Sequence, residues 1–320
     1  MPIPASATVQ SWLDHLRYER RLSEHSLAAY EHDIQHILPL SGSVSPDTLT
    51  PAQLRQKLAE LHAGGLHPRS LQRTLAAWRN FFHWWCEQYP AHPNPCAELK
   101  APKSPRPLPS SLSVDQAQQL LDHQPAQSLE HLSPVQARDQ AMFELLYSSG
   151  LRLSELVSLD THYVKQAGYE SSSWLSLQEA ELHVLGKGNK RRSLPIGSKA
   201  LHAVQCWLQL RGSVLRSAVD DAEHYHALFL GAQGKRIHPR MVQTRLQKLC
   251  QEAGLSLDIS PHALRHSFAS HMLQSAQDLR AVQELLGHSN ISTTQIYTRL
   301  DFQHLAQVYD QAHPRARRKP

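Results

Sequence analysis

The chain has 320 residues, is 41% hydrophobic and carries a formal net charge of +5. This length sets an expectation of two domains with a packed core in each half, and no apolar run approaches the roughly 18 residues of a spanning helix, which excludes a protein built on such helices. Cys86, Cys96, Cys206 and Cys250 lie far apart with no C-x-x-C pair, which excludes a disulfide scaffold or zinc knuckle and fits a reduced, cytoplasmic location. Met1 to Gln10 has neither a basic n-region nor a long apolar stretch, so no signal peptide is expected. Net charge hints at an acidic partner, but Arg315, Arg317, Arg318 and Lys319 supply four of the positive charges, leaving 29 basic residues against 28 acidic ones before them. The placement of charge, not its total, must therefore identify a partner.

The first hundred residues read as four helices. Trp12, Leu13 and Leu16 form a short apolar stripe. Ser23 is placed to cap a second helix carrying Leu27, Tyr30, Ile34 and Ile37. Thr50-Pro51 is a cap followed by a first-turn proline, with Leu54, Leu58 and Leu61 beyond and Gly64-Gly65 as the stop. A fourth helix from about Arg69 to Gln88 carries Leu71, Leu75, Trp78, Phe82 and Trp85 on its apolar side. Arg69 and Arg73 lie i,i+4 on another side, with Arg79 further along. Four such helices with short connections predict a small bundle.

Residues 90–109 hold seven prolines with Lys100, Lys103 and Arg106. A segment of this kind cannot continue a helix and tends to be extended, which suits an interdomain linker, either solvated or lying along a phosphate backbone. Beyond it, Asp139 to Ser148 reads as an amphipathic helix ended by Gly150, and Glu155 to Leu159 as helical. Leu182 and Val184, the Gly186–Asn189 turn, and then Arg192, Leu194 and Ile196 form a hairpin pattern. Ser171 to Ser173 reads as a loop. Ala200–Leu210 and Pro239–Ala253 are further helices, the latter stopped by Gly254.

Four stretches carry residues suited to phosphate chemistry. Arg152 follows the Gly150 turn, where it could also pair with Glu155. Lys187 sits at the hairpin tip. Ser260 is placed to cap a helix with Pro261 at its first position, so that His262 and Arg265, i,i+3, share one face near a helix N-terminus that favours anions. Gly287 ends a helix, His288 follows it, and Ser292 with Gln295 makes a capping box for the next helix, which holds Tyr297. Each alone has an ordinary structural reading: a solvated His–Arg face, a core tyrosine, an exposed lysine. Together they meet a chemical need. Two arginines and histidine donors can stabilise the charge that builds on a phosphodiester under attack, a tyrosine hydroxyl can attack, and a lysine can protonate the departing oxygen. None of these roles requires a metal or cofactor.

At this point a resemblance becomes specific. Arg152, Lys187, His262, Arg265, His288 and Tyr297, in the strings GLRLSEL, GKGNK, PHALRHSFASHML and LLGHSNISTTQIYT, resemble in order the Arg–Lys–His–Arg–His–Tyr signature of the tyrosine site-specific recombinases, the phage integrase family. The resemblance implies a mainly α fold. Residues 1–100 would form a four-helix core-binding domain, 101–112 a proline-rich basic linker, and 113–320 an α-rich catalytic domain with a small antiparallel sheet, a C-terminal partner-docking helix and a basic tail. It implies that Tyr297 forms a 3′-phosphotyrosyl bond, that Arg152 and Arg265 clamp the phosphate, that Lys187 is the general acid, that His262 and His288 support proton transfer, and that Glu155 supports the site without reacting.

The closing segment RLDFQHLAQVYDQAHPRARRKP resembles the XerC branch of that family. This implies a heterotetramer with an XerD-like recombinase on a duplex DNA recombination site, two copies of each, activation by an FtsK-like translocase, and resolution of chromosome dimers at cell division. The stripe Phe302, Leu305, Val308 and Tyr309 would dock into a neighbouring protomer or pack on its own core. DNA-contact candidates are Arg69, Arg73, Arg79, Lys100 and Lys103, with Arg240, Arg245 and Lys248 on the helix that by resemblance approaches DNA. Residues from about 166 to 179 and 213 to 225 look longer than their counterparts in the XerC branch. Competing readings are a phage-type integrase or plasmid resolvase, a DNA-binding relative without catalysis, and a metal-dependent nuclease, the last disfavoured because no cluster of carboxylates accompanies His262 or His288.

Overall fold

Two separate apolar cores organise the chain. In a computed structural model, residues 5–41, 49–90, 93–102, 111–123, 132–186, 191–215, 221–255, 259–275, 308–309 and 312–315 are described. One compact unit spans Met1–Pro107 and the other Leu108–Pro320. Among the described residues no helix is long and apolar enough to cross a membrane.

In the first unit, α1 (Ala5–Asp14) runs into a π-helical turn (His15–Glu19), followed by α2 (Glu24–Gln35), a one-turn α3 (Leu38–Ser41), α4 (Pro51–Ala63) and α5 (Pro68–Gln88). The caps fall where their chemistry requires. The Ser23 hydroxyl accepts from the Ser26 N–H, and Thr50 and Gln53 close a capping box ahead of Pro51. Helix α5 is the spine: Leu71, Leu75, Trp78, Phe82 and Trp85 are all buried, in one cluster with Trp12, Leu16, Ile34 and Leu54. One carboxylate enters this core. Asp33 accepts from Arg73 Nε at 2.8 Å, Arg73 Nη2 at 2.9 Å and Thr74 Oγ1 at 2.9 Å, and its carbonyl accepts from the Trp78 indole. A buried carboxylate needs such partners, so Arg73 has a structural partner within its own unit.

The second unit begins with α6 (Val114–Leu121), α7 (Pro134–Ser148) and α8 (Leu153–Val157). Strands β1 (Leu159–Asp160), β2 (Lys165–Gln166), β3 (Tyr169–Glu170), β4 (Ser173–Ser176), β5 (Glu181–Leu185) and β6 (Arg191–Pro195) come next, followed by α9 (Ser198–Val214), α10 (Ala222–His226), α11 (Pro239–Glu252) and α12 (Pro261–Ser275). The main sheet has the order β1-β4-β5-β6, antiparallel except for the two-residue parallel pairing of β1 with β4. The expected hairpin is β5–β6, with Leu182 opposite Leu194 and Val184 opposite Arg192.

Three expectations need correction here. Ser171–Ser173 is not a plain loop: Ser173 opens β4, and Ser171 and Ser173 are buried on either side of exposed Ser172, with their hydroxyls accepting from the Val164 and Leu185 N–H groups. Serine hydroxyls that satisfy backbone donors make a polar segment fit a sheet. Half of the 166–179 stretch is paired strand, and the 213–225 stretch holds the end of α9 and most of α10. Second, α7 is not amphipathic. Beyond its first turn it is buried on nearly all sides, and its charged residues meet partners inside: Arg138 bonds Asp139 and the Leu230 carbonyl, Asp139 pairs with Arg245, and Glu144 pairs with Arg315.

Third, Arg315, counted with the basic tail, is a buried residue of this unit. It is 2% exposed, its Nε donates to Glu144 Oε2 at 3.0 Å, and its Nη2 donates to Asp122 Oδ1 at 2.9 Å. Around it Tyr309, Ala312 and His313 are buried within this unit, and the His313 ring stacks on Tyr309 with centroids 5.0 Å apart. Val308 packs against the same core. Phe302 and Leu305 lie outside the described residues.

This closure implies a pH dependence. Burial, reinforced by the Arg315 charge, holds the His313 imidazole down to about 3 from an ordinary 6.5. Below pH 6.5 the unfolded chain takes a proton that the native histidine refuses. The stability of this unit, complete above that pH, is therefore lost as pH falls towards 3, by about 2 kcal/mol at pH 5. Urea unfolding at pH 7.5 and 5 should show this loss, and His313→Asn, which offers an acceptor to the Arg315 N–H, should reduce it. An equal loss in the variant would exclude His313 as its source.

Candidate active site

Helix α7 ends with the Ser149 N–H on the Leu145 carbonyl, and Gly150 follows at φ +57°. That left-handed step turns the chain so that Arg152 becomes the N-cap of α8. Contact enforces glycine as well as backbone angle. A Cβ at Gly150 would lie 2.3 Å from Phe268 Cδ1. Phe268 is a buried residue of α12, one helical turn beyond Arg265, so α12 presses directly on the turn that presents Arg152. Arg265 donates to the Gly150 carbonyl across 115 positions of sequence. Two arginines from distant strings are thus brought to one turn.

Glu155 organises them. Its Oε1 accepts from Arg152 Nη1 and Arg192 Nη1, each at 2.8 Å; its Oε2 accepts from the Arg152 N–H at 2.8 Å and Arg192 Nη2 at 3.0 Å. The side chains of Glu155 and Arg192 are 2% and 7% exposed, whereas that of Arg152 is 34% exposed. Burial acts to raise the Glu155 pKa, but the hydrogen bonds and charges of Arg192 and Arg152 outweigh it and hold the carboxyl below its ordinary value. Arg265 is lowered to about 10, first by burial and then by the Arg152 charge. It remains a cation at neutral pH. Three guanidinium groups against one carboxylate leave a positive locus with a half-exposed arginine at its edge, a setting that favours a phosphate.

His262 is exposed on the first turn of α12, whose N-terminus is capped by Ser260 Oγ accepting from the Ala263 N–H at 3.2 Å. It shares the helix with Arg265 but not its burial. Lys187, His288 and Tyr297 lie outside the described residues. Arg192 is the member that motif reading missed. Its signal was present: it alternates with Leu194 and Ile196, so a strand period of two turns a charged side chain inward with them.

The DNA-contact candidates divide by what their side chains touch. Arg69, Lys100 and Arg240 are exposed. Arg73 is engaged by Asp33, and Arg79 donates to the carbonyls of Cys96 and Leu99, tying down the segment after α5. Arg245 is half-buried against Asp139, and Lys248 pairs with Glu252 at 3.5 Å on the surface of α11. Lys103 lies outside the described residues.

Residues 110–304 match the model of the Phage integrase family, and residues 9–88 match that of the Phage integrase N-terminal SAM-like domain. Tyrosine recombinase XerC 1 of Ralstonia nicotianae is 48% identical over 325 residues, covering 99% of this chain and 96% of that protein. Tyrosine recombinase XerC of Pseudomonas aeruginosa is 47% identical over 317 residues, covering 98% and 96%. Among solved structures, the Tn1549 transposon integrase in complex with circular intermediate DNA superposes with a TM-score of 0.63 at 17% identity, over 93% of this chain and 98% of that one. XerH bound to its difH substrate superposes with a TM-score of 0.58 at 21% identity, over 91% and 80%. These two show a shared fold.

The Gly150 contact yields a prediction. Gly150→Ala needs both a left-handed backbone and a displaced Phe268 ring, which together should cost about 1–3 kcal/mol. Gly212, exposed near the end of α9 with nothing within 4 Å of an added Cβ, is the control. Gly212→Ala should be neutral or stabilising by up to about 1 kcal/mol. Equal midpoints for the two variants in thermal unfolding would count against the close approach of α12.

Proposed function

This chain belongs to the phage integrase family of tyrosine recombinases, enzymes of site-specific DNA recombination, and we propose that it cleaves and rejoins DNA through Tyr297 as the XerC member of an XerC–XerD pair. The observation that carries the chemistry is the meeting of Arg152 and Arg265 at the Gly150 turn. In this reading the two guanidinium groups hold the non-bridging oxygens of the scissile phosphate. The Tyr297 phenolic oxygen attacks phosphorus, forming a P–O bond and passing its proton to one of the two imidazoles, His262 or His288. The bond to the 5′ oxygen breaks, and Lys187 supplies the proton that makes the departing oxygen a hydroxyl. His262 and His288 donate to the phosphate oxygens as charge builds. The 3′-phosphotyrosyl ester conserves the bond energy, so the 5′ hydroxyl of a partner strand can displace Tyr297 without a nucleotide cofactor.

The XerC assignment is supported by near-full-length identity to proteins of that name, and it carries the finer proposals. These are a heterotetramer with two copies each of this chain and an XerD-like recombinase, activation by an FtsK-like translocase, resolution of chromosome dimers, and a cytoplasmic location. Exposed Arg69, Lys100 and Arg240 are the side chains best disposed to take backbone phosphates, with Lys103 as a further linker contact.

The test is a nicked duplex carrying the recombination site, incubated with the protein in EDTA. Wild type should give a denaturation-resistant protein–DNA adduct and Tyr297→Phe none. Binding without an adduct, even with the partner recombinase added, would favour the catalytically silent reading. Cleavage without an adduct on restoring metal would favour the nuclease. Arg152→Ala should slow adduct formation by about 10²-fold or more, and a near-normal rate would remove Arg152 from the phosphate site.

A further inference from the structure

A charge on the inward face of β6 calls for a physical reason. Arg192 stands opposite Val184, two residues before the buried Leu194, and is 8% exposed. An apolar side chain would satisfy that face without desolvating a guanidinium, and replacing buried ion pairs by apolar residues is often neutral or stabilising. What Arg192 does there is grip Glu155. Its Nη1 and Nη2 take one carboxylate oxygen each, the paired fork geometry in which Arg and carboxylate fit best. Arg152 reaches the same carboxylate through its backbone N–H and through Nη1 alone.

We propose that Arg192 is a positioning residue for Arg152: by occupying the paired face of Glu155, it prevents that carboxylate from capturing the Arg152 guanidinium and keeps Arg152 turned towards the phosphate. The inference rests on the reading of Arg152 as a phosphate ligand. An acceptor at position 155 cannot be dispensed with, since its side-chain oxygen holds the Arg152 N–H in the N-cap of α8, a bond that a glutamine Oε1 can also make. Yet a carboxylate shut away from water takes the strongest cation within reach. With Arg192 gone, the nearest is Arg152, whose fork would close on both oxygens and withdraw donors that the phosphate needs. Arg192 also keeps the local charge positive. Arg152, Arg265 and Arg192 exceed Glu155 by two, and without Arg192 by one. Arg192 also ties β6 to the arginine-bearing turn.

The role separates from simple structural support by genetics within the site. Single-turnover adduct formation on the nicked duplex is measured alongside DNA binding by mobility shift. Arg192→Gln should slow the adduct step by about ten-fold or more while binding changes by about two-fold or less. Adding Glu155→Gln removes the competing carboxylate, so the double variant should recover part of the lost rate. In an Arg152→Ala background, Arg192→Gln should have little further effect, because its target is gone. A wild-type rate for Arg192→Gln, an equal loss in both Arg152 backgrounds, or a double variant slower than Arg192→Gln would each overturn the proposal.

Should Arg192→Gln fail to fold, Arg192→Lys, which keeps the charge but loses the fork, is expected to fold and to cleave more slowly. A wild-type rate for it would likewise overturn the idea. The double variant, with both charges removed, is a third folded background by the ion-pair argument above. A wild-type protein that forms no Tyr297 adduct defeats the assignment of Tyr297, whereas a wild-type adduct with unaffected Arg192 variants defeats this inference alone.

Discussion

Glu155 must accept hydrogen bonds from two guanidinium groups at once because its carboxylate is closed off from water. The rest of the site follows from satisfying it. The carboxylate draws Arg192 inward from β6, holds the N-cap backbone of α8, and fixes where Arg152 leaves the chain. Helix α12 then seals the turn by packing Phe268 on Gly150, which carries Arg265 to the Gly150 carbonyl. One buried charge, one absent Cβ and one helix end thus converge, and together they gather cations where a single arginine would only decorate a surface.

The same physics recurs away from the site. Helix α7 runs through the middle of the second unit carrying Arg138, Asp139 and Glu144, each of which would be costly there if unpaired. Arg245 from α11 and Arg315 from near the C-terminus supply the counter-charges. Arg315 thereby belongs to the core, and with Tyr309 and His313 it closes the unit beside Gly197, where an added Cβ would meet the Tyr309 hydroxyl at 2.6 Å. Val308 and Tyr309, two of the four residues of the closing stripe, are engaged within their own unit. A docking surface for a neighbour built from that stripe therefore has to be made from what lies around them or by releasing them.

The helices of the first unit were legible because their apolar residues recur at helical spacing and their caps are local. Leu71, Leu75, Trp78, Phe82 and Trp85 announce α5 from sequence and are buried in it. The start of β4 was not legible, since Ser173 and the preceding Ser171 are hydrophilic and become buried only when backbone donors reach their hydroxyls. Basic residues were the least readable. Arg69 and Arg79 look alike in a helical pattern and both are exposed, yet Arg79 bonds two backbone carbonyls. A side chain's charge is written in the sequence, but its partner is not.

By itself the sequence determined the helical character, the β5–β6 hairpin, and the ordered motif strings that name the chemistry, because each depends on residue types at short spacing. Only the tertiary structure decided that Arg152 and Arg265 share one turn, that Arg192 grips Glu155, and that Arg315 is buried. Those outcomes depend on desolvation, and whether a charge is desolvated is set by chain segments 37 to 171 positions away.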